Sequence, residues 1–522
     1  YVERDIQRYR DATPGSIKTF AQQQLTNQQR VVVYGLPGKR DLGAEIPNQH
    51  PTVAQSNESI NPDAPWRAVA PAKGPERPFR LPIPHSFKLQ NGLTVIYDER
   101  PGLPIVAANL VVRTGNDASP IEKPGVGNFA VAMLDQGTAT RSAAEIADEA
   151  AALGATLVTE STMDESSVIV RALTANFPAA LHLLADITLH PSFAEAEITR
   201  QKTDRLGQLA QRRQDPSAVG DQVASRVLYG PRHPYGYADI GTEASIKSTS
   251  RDDLVRFWRG GFVPGNAALI VAGKIDSAEL RALAEREFGA WPAGTADVPK
   301  LGTQTTAQAK LVIVDIPDAP QTQLRVTSIG VPRSSPDYEA ITVMNNALGG
   351  LFSSRINLNL REAHGYTYGA FSFFDPRRLA GPFVAGAGVR TDVTAPAVSE
   401  IFKELNRIRS AALTDQELAL AKDAEIRSVP SNFETAGNAT NHYGTAYTYG
   451  LGLDYYSKLP AKLAAVTSAA ALEAARKHVL VDGMRVIAVG DRAKIEPKLR
   501  ELQLGTIEHR DTDGNLIPED KK

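Results

Sequence analysis

One local pattern occurs three times in this chain, and it limits the folds open to it. A helical stretch, a short break and an apolar strand ending in glycine run through residues 16–35 (ending RVVVYG), 251–273 (ending ALIVAG) and 471–490 (ending RVIAVG). The second and third copies each close a segment of domain size, about 200 residues. The 522 residues therefore read as a duplicated domain and not as one core. The first copy has no such body ahead of it. A helix and one strand cannot bury a core alone. Residues 1–38 are accordingly expected to be the C-terminal helix–strand tail of a preceding domain whose body lies outside this chain.

The rest divides by composition. Residues 39–82 form a Pro-rich linker, with Pro47, Pro51, Pro62, Pro65, Pro71, Pro75, Pro78 and Pro82 breaking any helical or strand period. Residues 83–298 and 299–510 are the two domains, and 511–522 a polar C-terminal tail. A net charge of −2 without a basic block speaks against a nucleic-acid surface. No apolar run approaches the ~20 residues that cross a bilayer. With no cysteine, disulfides, thiolate nucleophiles and Cys-based metal sites are excluded.

Within the first domain, residues 87–97 read as a hairpin turning at Asn91-Gly92, and 105–113 as a strand. Ser142 to Glu145 is a capping box opening a helix that Gly154 closes. Residues 159–173 read as strand, 175–215 as helices, and 269–273 as a late strand. The second domain repeats the plan, with strands at 311–314, 322–330, 371–374 and 383–389. Pro336 opens a helix running to Gly349-Gly350, and a second capping box stands at Thr414 to Glu417. Strands grouped among helices without βαβ alternation predict an α+β fold.

Several short cues stand in order: LQNGLTV from Leu89, VRTG from Val112, GVGNFAVAMLDQGT from Gly125, HPYG from His233 and GTEASI from Gly241. Their order and spacing resemble those of the pitrilysin/insulinase-type zinc peptidases, bacterial members included. The similarity covers residues 80–500 and the tail. It implies two tandem homologous α+β domains forming one half of a clamshell around a peptide-binding chamber. In that family one half carries zinc on an inverted H-x-x-E-H motif, with a glutamate about 75 residues further on as third ligand. Here the motif positions hold Asn128, Val131 and Ala132, and 75 residues beyond Ala132 stands Gln208. Amides and aliphatic groups neither hold zinc well nor take a proton from water. No metal site is therefore expected in this chain, and the zinc is expected in a partner half. None of the nine histidines forms H-x-x-E-H or H-x-x-x-H. His233 reads as structural, and His182 and His190 are poorly spaced for one metal.

The family's other half supplies an Arg and a Tyr seven residues apart that reach the substrate. Arg361 and Tyr368 have this spacing in LREAHGYTY. A phenol can donate to the oxyanion that forms during peptide hydrolysis, and a guanidinium can fix a peptide carbonyl or carboxylate. Tyr366 competes with Tyr368, since strand alternation would put both on one face. Gly349 and Gly350 are candidate substrate-facing residues as well as a helix stop.

The resemblance thus implies the non-zinc half of a zinc metalloendopeptidase, inactive alone, acting on peptides with a zinc-bearing homologous half or subunit as a heterodimer. Any signal peptide would lie upstream of Tyr1, and a periplasmic or secreted location is expected. The rival is a non-catalytic structural or peptide-binding subunit of the same descent. The retained Arg361/Tyr368 spacing speaks against it.

Overall fold

The computed structural model describes residues 1–36, 65–68, 74, 80–297, 301, 304 and 306–518. The chain divides into two compact units, Tyr1–Arg77 and Pro78–Lys522. Most of the expected Pro-rich linker lies outside the described residues.

In the first unit Val2–Asp11 and Pro14–Gln24 are helices. Thr13 caps the second: its hydroxyl accepts from Ser16 N while Ser16 Oγ accepts from Thr13 N, and Pro14 takes the first turn. A 3₁₀ turn follows at Asn27–Gln29. The strand expected at 30–35 does not form; residues 30–36 pair with no other strand. A strand exists only by hydrogen bonding to a neighbour, and the described part of this unit has no other extended segment to pair with. Val31, Val33 and Tyr34 remain exposed.

The second unit holds two six-stranded sheets. The first contains β1 (His85–Lys88), β2 (Thr94–Glu99), β3 (Ile105–Val112), β4 (Thr156–Ser161), β5 (Ser166–Leu173) and β6 (Ala267–Gly273), ordered β1-β2-β6-β3-β5-β4. The second contains β7 (Leu311–Asp315), β8 (Gln321–Ile329), β9 (Thr367–Phe374), β10 (Pro382–Arg390), β11 (Arg485–Gly490) and β12 (Ile507–His509), ordered β12-β7-β11-β8-β10-β9. Five of the six positions correspond; the outer edge differs, being β1, antiparallel to β2, in the first sheet and the C-terminal β12, parallel to β7, in the second. In each, the strand of the helix–strand repeat inserts mid-sheet, parallel to one neighbour and antiparallel to the other. Even the 3₁₀ turn before it recurs, at Pro264–Asn266 and Val481–Gly483, as at Asn27–Gln29.

Two expectations need correction. Residues 159–173 form a hairpin, β4 and β5, because the polar turn at 162–165 interrupts the β-branched run. The helix expected from Pro336 starts at Tyr338, and its last turn, Asn346–Gly350, is π-helical.

The central strands of each sheet are buried on both faces, which explains their uninterrupted apolar runs. In β6, Leu269 and Val271 face their own domain's core. Ala268, Ile270 and Ala272 face a cluster built with Ala439, Tyr443 and Ala446 of the Ala436–Thr448 helix, from the second domain. Reciprocally, Val219, Val223 and Val227 of the first domain's Pro216–Tyr229 helix pack on Val312, Val314, Ile487 and Val489 of the second sheet. The two domains exchange a helix each, so neither sheet is complete without the other domain.

Candidate functional site

The motif positions lie on a short helix, Val126–Ala132. Gly125 precedes it at φ 88° and backs onto Gly241, whose Cα would lie 2.7 Å from any added Cβ. The first-turn N–H groups are met by side chains: Gly127 N donates to Ser119 Oγ at 2.9 Å and Asn128 N to Asn116 Oδ1 at 3.3 Å. Phe129 and Val131 sink into the core. Asn128 and Ala132, four residues apart and so on one face, are half-buried.

Across from this face runs the long helix Glu195–Arg212. Its residue that reaches the motif helix is Arg205, buried to 4% exposure. Nη1 donates to Asn128 Oδ1 at 2.9 Å and Nη2 to the Asn128 main-chain oxygen at 3.1 Å. The guanidinium carbon stands 4.5 Å from the Phe129 ring centroid. Nε has no partner. Burial pushes this guanidinium down to about 10, opposed by the charge of Asp239. It remains a cation at neutral pH. Gln208, one turn on, is exposed.

In the second domain, two π-helical segments, Asn346–Gly350 and Leu358–Ala363, flank the short helix Arg355–Asn357. Such segments are rare and recur at functional sites. Arg361 lies in the second of them. Its Nη1 donates to Glu362 Oε1 at 2.8 Å, and its guanidinium carbon sits 4.4 Å from the Phe352 ring centroid. Tyr368 is 90% exposed, and its hydroxyl has no partner among the described residues. Tyr366 instead packs on the second core and stacks on His364 at 4.9 Å. The two tyrosines do not share a face, contrary to expectation, for two reasons. Tyr366 precedes β9. Between Thr367 and Ala370, β9 also carries one residue more than β10 does between Val389 and Ala387, a bulge. Thr367 Oγ1 holds it by donating to Gly388 O at 2.7 Å and accepting from Gly369 N at 3.1 Å. Gly349 is buried against β9, where any Cβ would collide with Ser372, while Gly350 is exposed.

The family model described as insulinase (peptidase family M16) matches residues 94–229, and the peptidase M16 inactive-domain model matches residues 248–425. Together they cover more than half of the chain. This chain belongs to the M16 peptidase family. Among its relatives, the uncharacterized zinc protease YmxG of Bacillus subtilis is 24% identical over 69% of this chain and 86% of its own length. The uncharacterized zinc protease Rv2782c of Mycobacterium tuberculosis is 26% identical over 67% and 81%. Among solved structures, a peptidase M16 inactive domain from Pseudomonas fluorescens superposes with TM-score 0.73 at 26% identity, covering 78% of this chain and 98% of that one. A Helicobacter pylori protease shares the fold at TM-score 0.72 and 17% identity, covering 78% and 100%.

The zinc of these M16 relatives' names does not fit the first domain. The face formed by Asn128 and Ala132 offers one amide and one methyl, Val131 supplies hydrocarbon, and the guanidinium of Arg205 already lies against Asn128. Zinc takes imidazole, thiolate or carboxylate ligands and is repelled by a neighbouring cation. Among the described residues no group of three or more His, Cys, Asp or Glu could hold a metal. His182 pairs with Glu287, His190 with Asp186, and buried His233 accepts from Tyr235 N at 3.1 Å, a structural role.

Sequence reasoning missed Arg205, because nothing in its neighbourhood marks it. A count to a fixed ligand position ends on Gln208, whereas burial places the next turn back, Arg205, against the motif helix. It also missed the junction of the two M16 domains. Arg378, in the β9–β10 loop, donates to Asp164 O at 2.6 Å and Arg113 O at 3.0 Å, and stands 3.2 Å from buried Asp117. Asp164 accepts from Tyr235 at 3.1 Å and Tyr449 at 2.7 Å.

Proposed function

We propose that this chain is the non-zinc half of an M16 zinc peptidase, hydrolysing peptides together with a zinc-bearing homologous half that it does not itself contain. The observation that carries this reading is Tyr368, a phenol free of partners and set outward by a bulge on an edge strand. Its hydroxyl is available to donate to an oxyanion formed at a metal held elsewhere. Arg361, braced on Phe352, supplies a cation for a substrate carbonyl or carboxylate. The free edge of β9 offers main-chain donors and acceptors to an extended peptide, giving affinity with modest sequence preference. At the motif positions Asn128, Val131 and Ala132 offer no group that would activate water.

The test is purification of this chain from its native cell under mild conditions. The expected outcome is a co-purifying, or covalently continuous, M16 zinc half and a peptidase activity abolished by a zinc chelator and restored by zinc. Recovery without a zinc half, or in a complex that cleaves no peptide, would favour the rival: a structural or peptide-binding subunit.

A further inference from the structure

The first-domain site has not merely lost its metal. We propose that the guanidinium of Arg205 has taken the metal's place, as a built-in cation that fastens the long helix to the motif helix and excludes divalent metal. This inference stands whether or not a zinc-bearing partner exists.

Three observations lead to it. First, Arg205 is buried without an acid in hydrogen-bond range; its ligands are the two oxygens of Asn128 and the face of Phe129. A buried charge is costly unless fully ligated, so this arrangement is not one that drift alone favours. Second, both bonded oxygens belong to Asn128, the position the family gives to its first ligand. Third, the second domain ties the corresponding pair of helices with other chemistry. There Asn346, at the end of the Tyr338–Asn345 helix, donates to Glu425 Oε1 at 3.0 Å and Ala421 O at 3.2 Å on the Asp415–Asn432 helix. Fastening these two helices is thus a demand of the fold in both domains. The second meets it with an amide on an anion, and the first with an amide on a cation. Val131 completes the change by filling the general-base position with core hydrocarbon.

Two measurements test the two parts. The tie is tested by a double-mutant cycle on the full chain, with Asn128→Ala and Arg205→Met, read by denaturant unfolding. Asn128→Ala should raise the unfolding constant ~10-fold in the wild-type background, because it strips a ligand from a buried cation. In the Arg205→Met background the same change should alter it less than about 2-fold. Equal effects in both backgrounds would overturn the tie. If Arg205→Met does not fold, Arg205→Lys replaces it, keeping the charge but losing the two-pronged geometry, and should likewise reduce the coupling. Exclusion is tested by restoring the ligands (Asn128→His, Val131→Glu, Ala132→His, Gln208→Glu) with and without Arg205→Met and titrating zinc alone. The form retaining Arg205 should bind zinc at least ~100-fold more weakly, since the metal must displace a fixed cation. Equal affinities, or no binding in either form, would overturn the exclusion.

Discussion

In the first domain the edge strand β4 pairs with β5 through six residues in unbroken register, whereas in the second the equivalent strand β9 breaks register opposite β10 and carries Tyr368 on the bulge. The helices preceding them differ in the same sense. Val126–Ala132 is a short regular helix, while its counterpart Tyr338–Asn345, whose Asn345 donates to Ser372 O of β9 at 3.0 Å, runs on into a π turn. The order of the five strands inside the outer edge strand and the helix exchange are common to both. The π turns and the bulged edge strand are found in the second domain, around the proposed substrate residues. In the first domain the corresponding helix and edge strand are regular, and a buried guanidinium lies against the helix. Duplication has kept five strand positions and the helix exchange while the outer edge strands and the two sites differ.

The largest effect expected from this contrast is on turnover. In the active complex, Tyr368→Phe should lower kcat by ~10²–10³, the range for loss of a single oxyanion donor. The fold should survive, because the hydroxyl bonds to none of the described residues. Tyr366→Phe, altering a side chain that packs on the core, should leave kcat within about 2-fold. Peptide assays with melting curves on both variants decide it: a reversed pattern would make Tyr366 the acting residue, and full activity in both would leave only the non-catalytic rival.

The next effect is on stability at the irregular segment. Gly349→Ala places a methyl into Ser372 of β9 and should cost about 1–3 kcal/mol, as overpacking does. At Gly350 the added methyl meets the amide ends of Asn346 and Asn345, at 2.7 and 3.1 Å, which are the looser contacts of the two sites, the nearest at Gly349 being 2.3 Å, and the cost should be smaller. Equal losses in denaturant melts would mean that the π turn is not pressed on β9 as described.

These residues also mark how far the sequence could be read. Two domains, their closing helix–strand units and both capping boxes, Ser142–Glu145 and Thr414–Glu417, were legible, because periodicity, Gly stops and capping chemistry are local. The Arg361/Tyr368 spacing was legible only through the family resemblance. The choice between Tyr366 and Tyr368 was not, since a bulge depends on the pairing of β9 with β10 and alternation gives the wrong answer there. Arg205 and the Asp117–Arg378 junction were hidden for a further reason. Their partners lie 77 and 261 residues away, and a charge that ends up buried looks in sequence like any surface charge.

A smaller effect separates the two domains by pH. Arg355, with the Thr414 cap, holds the Glu417 carboxyl down to about 2. A carboxylate lowered in the fold contributes stability that is present above its ordinary value of 4.5 and is lost as pH falls towards 2. Glu417→Gln should therefore cost about 1 kcal/mol at pH 7 and progressively less below pH 4.5. A cost independent of pH would place the stabilisation in packing and not in the charge.

The first domain should show the opposite slope, with little net change at neutrality. Burial pushes Asp117 up to about 7, against the pull of Arg378 and with the repulsion of Asp164 added. A carboxyl raised in the fold contributes stability that is full below its ordinary value of 3.8 and is lost as pH rises through about 7. Asp117→Asn forfeits the ion pair with Arg378 but relieves the buried charge, so near pH 7 the two should nearly cancel, to within about 0.5 kcal/mol. Away from pH 7 the difference should change sign, with wild type the more stable protein at pH 5 and the variant at pH 8. The neighbouring titratable groups, Glu165, His233 and Tyr235, are the same in both proteins, so their own titration largely drops out of the comparison. Melting temperatures across this range decide it. A constant offset would mean that Asp117 titrates as an ordinary surface carboxylate, and the junction with Arg378 would then be open to water.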